Sequence, residues 1–442
     1  MADLYEKLKR FSSVNSAGKK TEEVLPAPLQ PVSIPQQLLQ IPGLVSGAQL
    51  IGAIEKREAE KKKVLLAAGV EETTNSVGSY GLRLMRFGGV SLPYPPQDII
   101  GREIVRQTGE EFFQNIRSED LLFLDTETTG LAGGTGTLPF LIGAGYFEDG
   151  DFCLRQYLMR DYDEEPAVLH ELLDLFPRFR ALASYNGKCF DAPLLHSRFL
   201  LNRLPSPLLE LPHYDVLYPA RRFWRDRLPN CSLSTIEAAI LGRRRDEDVP
   251  SEQIPFIYFD FLRGLRVYRM KPVISHNAED ILSLAMLAAK TCRMTQSPLG
   301  ECGHGLELAG YGRFLAFNGD GETACACLEE SLRRGDLPGG AQLAVYRLLA
   351  KLYKRRERYL EAAAINRRAL GEFDDFFACV DLAKFYEHHA KQCGEALHLT
   401  ERALRKIAED RELEDAIFQR KREWEEKLNH RRRRLLRKLQ GN

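Results

Sequence analysis

The chain has no surplus of either charge. Lys+Arg and Asp+Glu both number 62 in 442 residues, so bulk electrostatics nominate neither an acidic nor a basic partner. It has no cysteine framework either: the nine cysteines (positions 153, 189, 231, 292, 302, 325, 327, 379 and 393) include no C-x-x-C pair. That pattern suits reduced thiols rather than disulfides and predicts no structural zinc. No run approaches the ~18 apolar residues that a membrane span needs, and the opening MADLYEKLKRF has no apolar signal core. These absences predict a cytoplasmic protein without a membrane partner. A phosphate-cradling P-loop is absent as well. Gly133, Gly134 and Gly136 stand close together, but no Gly-Lys-Ser/Thr follows them and no helix pattern begins there, so a tight turn is their default role.

What is present is ordinary for a globular chain, 44% apolar and 28% charged, with length for two or three domains. Residues 1–40 mix polar residues with Pro26, Pro28, Pro31 and Pro35 and read as a flexible arm. Residues 46–68, with Ala48, Ile51 and Ile54 and the run Lys61–Lys63, read as a short amphipathic helix, so the arm is expected to extend over 1–77. From Gly78 the segment SYGLRLMRF alternates apolar and basic residues, as a strand with an open edge would. LPFLIGAGYFEDGDFCLRQYLMR reads as two strands around a turn, and with the strand that begins at Leu121 makes a three-strand antiparallel meander. Helices are expected at 164–176, from about Phe190, at 217–224, 232–242 and 254–264, and over 278–290, with a short strand at 181–186.

The chemistry concentrates in LLFLDTETTG (Leu121–Gly130). Four apolar residues read as a buried strand, and on a strand Asp125 and Glu127 leave the same face. Adjacent carboxylates repel, and hard divalent cations take carboxylate oxygens. The stretch therefore predicts a metal site, against the plainer reading of a strand ending in an acidic turn. Asp191 follows a short strand and opens a helix in YNGKCFDAPLL, and Asp280 lies one helical turn after His276 in SHNAEDILSL. Singly each has another use: Asp191 as a helix cap, Asn277 with Asp280 as an acidic capping box. Jointly, four acids around two Mg²⁺ or Mn²⁺ ions about 4 Å apart would clamp the attacking and leaving oxygens of a phosphodiester. His276, on the same helix face as Asp280, would take the proton from the attacking water.

DTETTGL, NGKCFDAPLL and HNAEDILSLA, in that order, resemble the three exonuclease motifs of the DEDD family within the ribonuclease H-like superfamily. With SLSTIEAAILG and a helical tail, the wider pattern is similar to the YprB-type predicted exonucleases of bacteria, over residues 78–292. The resemblance implies an α/β ribonuclease H-like domain (mixed sheet, flanking helices; 78–295) and 3′→5′ hydrolysis of single-stranded DNA or RNA ends. By motif, Asp125 bridges both ions, Glu127 and Asp280 complete the shell of one, Asp191 holds the other through water, and His276 is the general base. The spacing of four between His276 and Asp280 departs from the five usual in the histidine subgroup and matches the tyrosine subgroup, with histidine in tyrosine's place. Thr128, Gly130 and Leu131 match the segment that seats the terminal nucleotide, Leu131 as a wedge against a base. Asn186 and Phe190 match the second motif and position metal or substrate, and Asn277 joins the substrate contacts.

Two other readings compete. A nuclease fold that has lost turnover and serves as a nucleic-acid-binding scaffold is disfavoured by four intact acids, and an endonuclease of the same superfamily by an Asp-x-Glu pair on one strand. Arg221, Arg222, Arg225 and Arg227 interleave with Phe223 and Trp224, which suits single-strand backbone contact and base stacking as well as it suits a helix face; the run Arg243–Arg245 is equally open. Beyond residue 300, LAKLY (349–353) returns as LAKFY (382–386) and EAA (361–363) as EAL (395–397). A period of 33 or 34 resembles tetratricopeptide repeats, whose concave face binds a protein partner. The chain closes on a basic helix with Arg431–Arg434, Arg437 and Lys438, open to phosphate contact or to a solvated helix end.

Overall fold

The structure, a computed structural model, describes residues 47–88, 94–130, 136–245, 248–409 and 420–440. The Pro-rich part of the arm, Leu131, Gly133 and Gly134 lie outside the described residues. The chain divides into two units, Met1–Arg57 and Glu58–Asn442. Of the first only the opening of helix α1 (Gly47–Ala67) is described; everything below belongs to the second.

Seven strands form one mixed sheet: β1 (Glu71–Thr74), β2 (Ser79–Phe87), β3 (Leu121–Thr128), β4 (Pro139–Glu148), β5 (Asp151–Leu158), β6 (Ala181–Ser184) and β7 (His213–Asp215). Their spatial order is β1-β2-β5-β4-β3-β6-β7. The meander β3-β4-β5 is antiparallel, and β6 and β7 continue from β3 in parallel. Helix α2 (Gly101–Thr108) precedes the meander and α3 (Glu165–Leu175) follows it; α4 (Asp191–Leu201) makes the crossover that parallel β6 and β7 require. The open edge expected of the strand after Gly78 is covered by β1, which pairs with β2 from Glu71 onward.

Both faces of β3 are covered, which is why its first four residues are all apolar. Leu121 and Phe123 enter one core with Phe152, Ile281 and Leu284; Leu122 and Leu124 enter another with Val168, Leu195 and Phe199. Carboxylates can therefore appear only where the strand emerges, from Asp125 on. The polypeptide then runs through α5 (Leu217–Trp224), α6 (Leu233–Ile236, continued by a π turn at Glu237–Leu241) and α7 (Ile254–Leu262) to α8 (Met270–Gln296). No helix among the described residues is long and apolar enough to cross a membrane.

Helix α8 is pressed unusually close to β4, and two glycines allow it. A Cβ on Gly145 would lie 2.4 Å from Ile281 Cγ2 and 2.5 Å from Phe152 Cζ, and one on Gly143 would lie 2.5 Å from Asn277 Oδ1. Because α8 starts at Met270, Asn277 lies two turns inside it. The alternative use of Asn277 and Asp280 as a capping box is thereby excluded, since both are interior residues, and the expected start of the helix at 278 is corrected to Met270, eight residues earlier.

Beyond α8 the elements among the described residues are all helices: α9 (Pro298–Glu301), α10 (Gly305–Phe317), α11 (Gly321–Arg334), α12 (Gly339–Arg355), α13 (Tyr359–Phe373), α14 (Phe376–His388), α15 (Cys393–Glu409) and α16 (Lys421–Gln440). The repeated LAKLY and LAKFY fall at equivalent places in α12 and α14, EAA and EAL in α13 and α15. This region joins the sheet domain through α5. Phe223 stacks on Tyr311 of α10 with 4.9 Å between ring centroids, and Trp224 Nε1 donates to Glu307 at 2.9 Å. Arg227 bonds the same carboxylate, and Arg222 lies 4.0 Å over the Phe314 ring. Phe223 and Trp224 are thus buried at a helix interface, which excludes base stacking, one of the two readings open for them.

The terminal basic helix is also tied down. Arg431, Arg434 and Lys438 of α16 all reach Glu387 of α14, at 2.6, 2.7 and 2.9 Å, and the Glu387 side chain has no solvent exposure. Those three cations are engaged within the fold, not left for phosphate. Burial alone would push the Glu387 carboxyl up; hydrogen bonds from Arg434 and Lys438 and the charge of Arg431 outweigh it and hold it down at about 2. A lowered folded-state pKa contributes stability that is present above the ordinary carboxylate range and is lost as pH falls toward 2. Glu387→Gln strands three cations together and is expected to destabilise the docking of α16 by about 3 kcal/mol. Hydrogen exchange across 421–440 measures this: protection should fall in the variant at pH 7, and in the wild type only below about pH 4. Unchanged protection in Glu387→Gln would show that apolar contacts alone seat the helix.

Candidate active site

Asp125 and Glu127 sit where β3 leaves its two cores, opposite Gly143 and Leu141 of β4, with a bulge after Glu127. Helix α8 lies over that face. Asn277 Nδ2 donates to Asp125 Oδ2 at 2.8 Å, its Oδ1 accepts from Gln156 Nε2 at 2.8 Å, and Gln156 Oε1 accepts from Arg83 at 3.0 Å. This chain of directed hydrogen bonds runs from β2 through β5 and α8 and fixes the Asp125 carboxyl. Asn277 is fully buried with both ends used, so it holds Asp125 and does not touch substrate, a correction to the contact expected of it. One turn of α8 presents His276 and Asp280 together: His276 Nε2 lies 3.4 Å from Asp280 Oδ2 and 3.9 Å from Glu127 Oε1. Ligand atoms of Glu127, His276 and Asp280 all lie within 4.8 Å of one another.

Asp191 arrives from the other side of β3. It is the first residue of α4, and its Oδ1 accepts from the hydroxyl of Thr126. On a strand Thr126 faces opposite to Asp125 and Glu127, so the acids gather around the strand's end rather than on one face. The loop before Asp191 is held by Asp215 at the end of β7, whose carboxylate accepts from the N–H groups of Asn186 (2.7 Å), Lys188 (3.2 Å) and Leu217 (3.1 Å). Asn186 has φ +66°, a left-handed conformation that asparagine tolerates better than most residues. Phe190 caps α4 and is 58% exposed beside Asp191. Thr128 donates to the Gly130 carbonyl at 2.8 Å, closing the turn that leaves β3. Leu131 follows outside the described residues.

A family model described as the RNase_H superfamily matches residues 122–292, from the second residue of β3 nearly to the end of α8. Uncharacterized protein YprB of Bacillus subtilis (strain 168) is 32% identical over 291 residues, which cover 64% of this chain and 69% of YprB. The chain belongs to the YprB family, and its residues 122–292 form a domain of the RNase H superfamily. The matched residues of this nuclease-type domain contain all four acids and His276.

The electrostatics of the RNase H superfamily domain are set by burial. Burial pushes the Asp125 carboxyl well above the usual range, and repulsion from Asp280, Glu127 and Asp191 adds to it. Glu127 is pushed up to about 8, by burial first and then by Asp280 and Asp191, with His276 and Arg245 opposing. Asp191 is pushed up to about 6, chiefly by burial, against the hydrogen bond from Thr126. Carboxyls crowded so that they resist ionising are the groups a divalent cation stabilises, and Glu127, His276 and Asp280 offer ligand atoms close enough together to hold one.

Two residues that the motifs do not reveal complete the cluster. Arg245 donates through Nε and Nη2 to both oxygens of Glu237, at 2.8 and 2.6 Å, and through Nη2 also to Asp280. Of the open run Arg243–Arg245 it is thus this member that enters the site, while Arg243 pairs with Glu279. Asp248 Oδ1 lies 2.6 Å from His276 Nδ1, nearer than Arg245 Nη1 at 3.0 Å. In the neutral imidazole the shorter contact places the proton on Nδ1, which leaves the Nε2 lone pair toward Glu127 and Asp280. Burial lowers the His276 pKa, but Asp280, Glu127 and the bond to Asp248 raise it by more. The one sequence signal for Asp248 is the switch of sign in RRRDED (243–248), which names no partner.

Proposed function

We propose that the chain is a divalent-metal-dependent 3′→5′ exonuclease acting on single-stranded ends of DNA or RNA. The observation that carries this reading is the grouping of Glu127, His276 and Asp280, with ligand atoms all within 4.8 Å of one another, at the end of the strand that also carries Asp125 and whose Thr126 holds Asp191. The four acids would hold two Mg²⁺ or Mn²⁺ ions, with Asp125 shared between them. Bound there, such ions supply positive charge to the phosphodiester and make water acidic enough to attack at neutral pH. His276 receives the proton of the attacking water at Nε2. Asn277 and Thr126 hold Asp125 and Asp191 in place, and Thr128, Gly130, Leu131 and Phe190 seat the terminal nucleotide. The helix pairs after residue 300 are tetratricopeptide-like repeats whose open face takes a protein partner.

Purified protein incubated with 5′-labelled single-stranded DNA and RNA in Mn²⁺ tests the reading, with EDTA and Asp125→Asn as controls. A ladder shortening from the 3′ end, lost in both controls, is the expected result; intact substrate in every lane would overturn it. Asp248→Asn keeps the size of the side chain but weakens its hold on Nδ1–H. It is expected to lower kcat on the order of 100-fold with KM little changed, and Asp248→Glu should recover part of the loss. A change confined to KM would remove Asp248 from the chemistry.

A further inference from the structure

With Phe223 and Trp224 buried, the other side of α5 carries what they leave. Tyr218, Arg221 and Arg225 are exposed at i, i+3 and i+7, one stripe of the helix. Arg221 and Arg225 line a pocket of about 530 Å³, together with Tyr185, Asn186 and Asn230. Arg221 belongs to no ion pair formed among the described residues, and Arg225 keeps 71% of its side chain exposed beside Asp226. Asp226 is itself paired with Arg313.

One wall of this pocket adjoins Asp191 of the acid cluster. Its wall residue Asn186 is followed by Gly187, which passes so close to Asp191 that a Cβ there would lie 2.9 Å from Asp191 Oδ2. Tyr218, 44% exposed, neighbours the Cys189 side chain, and Cys189 adjoins the exposed Phe190. Two exposed aromatic rings and two cations thus lead away from Asp191 along one surface. A flexible polyanion with stackable bases matches that alternation, since bases stack on any aromatic face while the backbone follows the charge.

We infer that Tyr218, Arg221 and Arg225 form the track for the single strand upstream of the scissile end, the arginines on successive phosphates and Tyr218 under a base. The inference rests on the nuclease reading for the direction of the strand, but not for the contact itself. It also names a single strand as the ligand, since stacking on Tyr218 and Phe190 requires bases free of a duplex.

Binding of fluorescein-labelled dT12 and U12 to the Asp125→Asn protein between 50 and 200 mM KCl tests it without cleavage. Each single-strand phosphate contact contributes about 0.7 to the slope of log K against log salt, so Arg221→Ala with Arg225→Ala should flatten the slope by about 1.4. Tyr218→Ala should weaken binding about tenfold at every salt concentration with the slope kept, and Tyr218→Phe should restore it. Circular dichroism confirms that each variant folds. An unchanged slope in the double arginine variant, with the wild type cleaving normally, would overturn the track and leave the nuclease reading intact. A flattened slope in a protein whose wild type never cleaves would uphold the track and overturn the nuclease reading instead.

Discussion

Asp125→Asn should abolish metal-dependent hydrolysis, by roughly 10³-fold or more, and at the same time raise the melting temperature of the EDTA-treated protein at pH 8. The two effects have one cause. The carboxyls of Asp125, Glu127 and Asp191 are buried together and all three are pushed above their ordinary range. A carboxyl raised in the folded state binds more protons there than in the unfolded chain, so stability falls as pH climbs from the unfolded value to the folded one. For Asp191 that window closes near pH 6 and for Glu127 near pH 8. Asparagine at 125 removes one charge from the cluster yet keeps an oxygen for the Asn277 amide, which donates to Asp125 Oδ2 at 2.8 Å. A gain of about 1 kcal/mol would move the melting temperature by a few degrees. The gain should be larger at pH 8 than at pH 5, where the wild-type carboxyls keep their protons. Mn²⁺ should raise the melting temperature of the wild type and much less that of the variant, and its affinity for the wild type should climb between pH 6 and 8 as ligand protons are displaced. Scanning calorimetry in EDTA and in Mn²⁺ at the two pH values measures all of this. A lower melting temperature for Asp125→Asn in EDTA would mean that the carboxylate is held by partners strong enough to need no cation.

The parts of this site that were legible in the sequence are those governed by local periodicity. The two-residue repeat of a strand puts Asp125 with Glu127, the turn of a helix puts His276 with Asp280, and a short strand running into a helix delivers Asp191. The meander, the helix that opens near Phe190 and the helical region behind the sheet follow from the same patterns, while the mixed sheet is what the family resemblance implies. What stayed hidden depends on partners distant along the chain. Strand β7 is three residues long, too short for a period, yet its Asp215 holds the loop that aims Asp191. Arg245 and Asp248 sit in a charged run whose partners, Asp280 and His276, lie 35 and 28 residues onward. Aromatics beside arginines in α5 carry no mark of whether they meet a base or another helix; Glu307, 83 residues after Trp224, decides it. The terminal basic helix is similar, because three of its cations are neutralised by one carboxylate, Glu387, on a helix 44 or more residues earlier.

Gly145→Val tests the step that joins packing to chemistry, and it should cost stability and activity together. The first added carbon would fall 2.4 Å from Ile281 and 2.5 Å from Phe152, both fully buried, and valine brings two further methyls. Neither neighbour has free space to enter, so α8 must lift from β4. Overpacking of this kind costs typically about 1–3 kcal/mol. The functional cost follows from what α8 carries. His276 and Asp280 lie one turn before Ile281 and beside it, and their placement against Glu127, at 3.9 Å from His276, depends on the seat of that helix. A shift of about 1 Å in reacting groups can cost on the order of 100-fold in rate. Urea denaturation and kcat on a single-stranded oligonucleotide should therefore fall together in Gly145→Val. Ile281→Ala added to Gly145→Val, which removes the methyl that the new carbon would strike, should recover part of both, a coupling that a double-mutant cycle with the two single variants quantifies. Were Gly145→Val to lose stability while keeping its kcat, the acids would be positioned by their hydrogen bonds alone, and the close approach of α8 would matter to the fold but not to the reaction.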